Sequence, residues 1–154
     1  MNTPSLEEIL TDALDDERKA EAAYAAIIEK FGPVRPFINI IDAERRHSHA
    51  IERQMARLGF AIPENHWEGK GEAPASIREA CEAGVQGEIE NIALYDRLIP
   101  QIADEAVRNV LRNLQDASRE NHLPAFRRCL ESGGTGGGGG RGGAGRRERR
   151  RGRW

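Results

Sequence analysis

A glutamate followed three residues later by a histidine on one helix, met by carboxylates from neighbouring helices, is a donor set that can hold a metal ion. Glu44 and His47 form such a pair, and their i, i+3 spacing projects one carboxylate and one imidazole from a single helix face. Two other segments repeat one another. Glu17 precedes Tyr24, and Glu88 precedes Tyr95, by seven residues in each case. Seven residues are two helical turns, so each glutamate shares a stripe with its tyrosine, roughly 10 Å away along the axis. Both segments lie in otherwise apolar helical patterns, where a carboxylate is costly unless its charge is compensated. A cation is the simplest compensation, and a mixed oxygen and nitrogen set suits iron or manganese better than soft metals.

Helical periodicity over residues 5–131 supplies the rods that would position these groups. The first helix is expected from about Ser5 to Phe31, with Ser5 and Glu8 as a capping box and Gly32-Pro33 as its stop. The second is expected from about Arg35 to Leu58, antiparallel to the first because the connection is short. Residues 60–73 read as a loop that extends to roughly 46 Å, long enough to cross the height of a bundle. A third helix is expected from about Pro74 and a fourth to near Leu130, with the turn between them near Ala103 and Asp104. The fold class is therefore all-α: a four-helix bundle of two antiparallel helical hairpins joined by a long crossover loop.

Counting from the turns sets the heights. Glu17 lies 15 residues before Gly32 and His47 lies 14 after Pro33, so they fall level; Glu88 lies 15 before Ala103, at a matching level in the second hairpin. The fourth helix departs from a perfect repeat. Aligning His122 with His47 puts Arg119 where a second glutamate would face Glu44, and this Arg would replace a second metal with a fixed positive charge. Glu120 points to another face, and Asp116 is the alternative to His122 as the ligand from this helix. The expected metal ligands are Glu17, Glu44, His47, Glu88 and His122, with two ions, or one, in the bundle. Tyr24 and Tyr95 are expected to donate hydrogen bonds to the carboxylates.

The segments 13–24, 32–47 and 117–126 resemble the ferritin-like superfamily, and among its branches the rubrerythrin-type and bacterial erythrin-like proteins. The resemblance covers about residues 5–131. It implies a carboxylate-bridged di-iron site and an oxidoreductase that handles iron or reacts with oxygen or peroxide, with Glu44 and Glu88 as bridging carboxylates. No Cys-x-x-Cys pair is present, so the rubredoxin-type electron-transfer module of rubrerythrins is not expected.

The chain has 154 residues, 38% hydrophobic and 31% charged, which suits one helical domain (1–132) with charged outer faces. Residues 133–154 hold seven Arg and one Glu, a net of +6 that leaves −8 on residues 1–132 out of a total of −2. This Gly/Arg-rich tail offers no apolar surface to offset its entropy and is expected to be disordered and solvated. The sharper alternative is a tether to nucleic acid or another acidic surface. A metal-free or single-metal helical binding module localised by that tail is the second functional expectation. No apolar run reaches the ~20 residues of a membrane span. The N-terminal residues lack a basic segment and an apolar stretch, so a cytoplasmic setting is expected. There Cys81 and Cys129, each seven residues from an expected ligand, would be packed reduced thiols, with a redox disulfide as the alternative. His49 is expected to face solvent and His66 and Trp67 to pack the crossover loop onto the bundle. A homo-oligomer is compatible with any extra apolar stripe.

Overall fold

The computed structural model describes residues 3–132; the tail expected to be disordered lies outside the described residues. Within them the chain is helical and forms a bundle of four rods without strands. Helix α1 spans Leu6–Phe31 and opens on the expected capping box, in which the Ser5 hydroxyl accepts from Glu8 N and Glu8 accepts from Ser5 N. Gly32 ends it with a φ of 85°, a left-handed conformation that a side chain would strain. Helix α2 spans Phe37–Arg57 and α3 spans Ile77–Leu98. After a 3-10 turn at Ile99–Gln101, α4 spans Glu105–Ala117, capped by the Asp104 carboxylate accepting from Val107 N. A five-residue π-helical turn, Ser118–His122, then leads into α5, Leu123–Glu131, so that α4 and α5 together make the fourth rod.

Two helix starts differ from the sequence expectation. Helix α2 begins at Phe37, after Pro36, and α3 begins at Ile77 instead of Pro74, because the Ser76 hydroxyl accepts from Glu79 N and fixes the cap there. The partners along the rods define their directions. Arg18 meets Glu52 and Glu21 meets Arg45, which makes α1 and α2 antiparallel; Cys81 meets Cys129 and Gln115 reaches Ile92, so the fourth rod runs antiparallel to α3.

The non-helical connection after α2 lies on α1. Trp67 Nε1 donates to Asp15 Oδ1 at 2.8 Å, and Lys30 Nζ donates to the Pro74 carbonyl at 2.8 Å. Between those anchors Gly71 passes so close to the Ala22 carbonyl that a Cβ would collide with backbone. Buried Arg18 fixes the same segment by donating to the Pro63 carbonyl at 2.8 Å and to Glu52 at 3.2 Å. Trp67 thus packs the connection as expected, whereas His66 is exposed; His49 is exposed as well and pairs with Glu52.

The core falls into two clusters. One gathers Leu10, Leu14, Ile51, Met55, Tyr95, Leu111 and Leu114, the other Tyr24, Phe37, Ile41, Cys81 and Phe126. On every rod a buried polar residue falls between its contributions to the two: Glu17 on α1, Glu44 and His47 on α2, Glu88 on α3, and His122 on the fourth. The expectation of reduced thiols is corrected: Cys81 and Cys129 form a disulfide between α3 and α5. Their Cα atoms lie 6.3 Å apart on facing helices, within bridging distance.

Candidate metal centre

The five expected ligands converge. Glu17, Glu44, His47, Glu88 and His122 are each at most 4% exposed and form two groups, Glu17 with Glu44 and His47, and Glu44 with Glu88 and His122. Within each group the donor atoms lie within 4.8 Å of one another. Glu44 belongs to both. Its Oε1 lies 3.2 Å from His122 Nδ1, and its Oε2 lies 3.7 Å from His47 Nδ1, so the carboxylate is spread between two imidazoles. Those rings stack with centroids 5.4 Å apart. The i, i+3 spacing of Glu44 and His47 delivers the 3.7 Å contact, and the level heights of Glu17 and His47 deliver a 3.4 Å approach across the α1–α2 pair.

The repeated Glu-to-Tyr spacing has a reciprocal use. Tyr24 on α1 donates to Glu88 Oε1 on α3 at 3.0 Å, and Tyr95 on α3 donates to Glu17 Oε1 on α1. Because α1 and α3 run antiparallel with their two seven-residue spacings in register, each glutamate faces the other's tyrosine. The tyrosines therefore hydrogen-bond the carboxylates, as expected, but each serves the opposite hairpin. Burial and the adjacent carboxylates push both phenols well above their ordinary pKa, so they stay protonated donors.

The fourth rod corrects two expectations. Arg119 is not in the site: its side chain is half exposed and lies 3.9 Å from Asp96 on the outside. Asp116 is exposed too, which leaves His122 as the candidate ligand from this rod. The cause is the π turn, in which Leu123 N donates to the Ser118 carbonyl five residues back. The extra residue shifts the register, and Ser118 turns inward where a second glutamate was sought. Ser118 Oγ donates to Asn91 Oδ1 at 2.9 Å, and Asn91 Nδ2 donates to Asp16 at 2.7 Å and to Glu17 Oε1 at 3.4 Å. Sequence reading did not single out Asn91 or Ser118. Asn91 had a signal, since it follows Glu88 by three residues and so shares its face; Ser118 had none, because nothing in the sequence marks a π turn.

Without a metal the charges are balanced by protons. Burial disfavours a charged imidazole, yet Glu17 and Glu44 outweigh it and hold His47 at about 10; Glu44 and Glu88 likewise raise His122 to about 9. Burial would raise Glu44, but the adjoining Glu17, His122 and His47 groups outweigh it and lower it to about 2. Burial and the Glu44 charge raise Glu17 to about 7. His122 Nδ1 lies 3.2 Å from Glu44 and 3.4 Å from Glu88, yet it is angled so that it makes no hydrogen bond with either. Buried carboxylates and imidazoles gathered this closely could hold a metal ion.

No family model matches the chain, and no curated protein does. Among solved structures, a hypothetical protein from Methanococcus jannaschii DSM 2661 is similar, with a TM-score of 0.75 and 22% sequence identity over 87% of each chain. That similarity concerns the fold.

Proposed function

We propose that this chain is a ferritin-like protein with a di-metal centre, iron being the resident pair, and that it reacts with oxygen or peroxide. The observation that carries the reading is Glu44, a buried carboxylate whose two oxygens face two imidazoles in two separate donor groups. Glu17, Glu44 and His47 would hold one ion, and Glu44, Glu88 and His122 the other. Bound there, the metals supply the electrons for reducing an O–O bond. The chain's own residues have defined tasks. Tyr24 and Tyr95 fix Glu88 and Glu17 through hydrogen bonds, and burial excludes bulk water from the donors. Asn91, held by Ser118, orients Glu17 from the side that has no fourth-rod carboxylate.

Anaerobic reconstitution with Fe(II) followed by elemental analysis tests this. Two ions per chain are expected; less than one of Fe, Mn or Zn in the wild type would end the proposal. A metal-free module is favoured by one observation, that each imidazole already lies beside a carboxylate, His47 at 3.4 Å from Glu17 and His122 at 3.2 Å from Glu44, and so can neutralise it without an ion. In that reading the seven-Arg tail carries the function, and salt-sensitive retention on nucleic acid should vanish on truncation after Ser132.

A further inference from the structure

A cavity of about 280 Å³ opens between α1 and α3 and reaches Glu44, Glu88 and Tyr24. Oxygen or peroxide does not need such a space, since a water-sized guest takes about 30 Å³. The volume instead approaches the lower end of organic-ligand pockets, about 300 Å³. Short side chains make its walls, among them Ala20 and Ala23 on α1 and Gly84 and Gly87 on α3.

Its polar lining is mostly acidic. Asp16, Glu72 and Glu90 border the cavity, and none of the three forms an ion pair among the described residues. Asp16 and Glu90 accept from the neutral amides of Asn91 and Gln86. Lys19, the cation at the cavity, has its Nζ 5.7 Å from the Trp67 ring centre. An apolar slot rimmed by carboxylates without ion-pair partners complements a molecule with an alkyl body and a positively charged head.

We propose that this cleft binds a short-chain alkylammonium compound, its head among Asp16, Glu72 and Glu90 and its chain directed toward Glu44 and Glu88. Delivery of that chain to a metal centre rests on the proposed function; binding in the cleft does not. Gly87 provides the handle, because a Cβ there meets nothing within 4 Å. Gly87 lines the cleft, so a larger side chain there has room to occupy it, and leaving glycine favours the helix.

The test is titration calorimetry of n-hexylamine, hexan-1-ol and hexanoate against the full chain, metal-free and iron-loaded. Hexylamine should bind to one site, hexanol about tenfold more weakly, and hexanoate more weakly still. Gly87→Leu should abolish hexylamine binding and leave iron content and melting temperature as in the wild type. Absent hexylamine binding, hexanoate binding as tight as hexylamine, or a folded Gly87→Leu with undiminished affinity would overturn the proposal. Should Gly87→Leu not fold, the double variant Glu72→Gln, Glu90→Gln decides. Its hexylamine affinity should fall toward that of hexanol, and an unchanged affinity overturns the assignment. A wild type that binds hexylamine but no iron supports the cleft while removing the di-metal reading; one that binds iron but no hexylamine does the reverse.

Discussion

Loading the centre must expel protons, and their number follows from the site. An imidazole ligates in its neutral form and a carboxylate in its ionised form. In the metal-free chain His47 and His122, at about 10 and about 9, are protonated through neutral pH, whereas Glu17, at about 7, changes state across it. At pH 6 both imidazoles and most of the Glu17 population carry a proton, so full loading should release about three protons per chain. At pH 8 Glu17 is ionised, and about two should be released. Calorimetric titration with Mn(II) in buffers of different ionisation enthalpy measures this directly, since the slope of observed enthalpy against buffer enthalpy is the proton count. A release below about one proton at both values would show that the imidazoles are neutral before the metal arrives. The electrostatic account of Glu44 as a carboxylate held between two imidazolium groups would then be refuted.

Other outcomes follow from the same contacts. Glu44→Ala should abolish binding of both ions and Glu17→Ala of one, a difference that elemental analysis after iron reconstitution resolves. Tyr24→Phe and Tyr95→Phe each remove a buried donor to a carboxylate and should each cost about 1–3 kcal/mol in urea unfolding of the metal-free chain. Stability of the metal-free chain should also fall at both ends of the pH scale, as read by urea midpoints. Raised values at Glu17, His122 and His47 mean stability lost as pH rises through about 7, 9 and 10, and the lowered Glu44 means stability lost as pH falls below 4.5 toward about 2. Reducing the Cys81–Cys129 bridge, which closes a separation of 48 residues, should lower stability by about 4 kcal/mol in the chain-entropy account.

Most of the centre was legible because it rests on regular geometry. The Glu44–His47 pair needs only a helix, and the level placement of Glu17, His47 and Glu88 needs only rods of known rise joined by short turns. What escaped depended on departures from regularity or on partners far apart in sequence. The π turn at Ser118–His122 has no composition signature, so register counting placed Arg119 inside and missed Ser118. The reciprocal use of Tyr24 and Tyr95 required the relative direction of α1 and α3, which no single-helix pattern carries. Cys81 and Cys129 each lie seven residues from an expected ligand, but compartment reasoning favours thiols where the structure has a bridge. The α1–α3 cleft depends on small residues on two separate helices and could not be seen before they were brought together.

The crossed phenols have a consequence for how the two halves of the molecule find each other. Each hairpin carries the hydroxyl that the other's carboxylate accepts, so the halves index one another through matched teeth, independently of the tether between them. Cutting that tether and rejoining the termini elsewhere should leave the meshing intact. A slip of either hairpin by a single residue would instead disengage both teeth together.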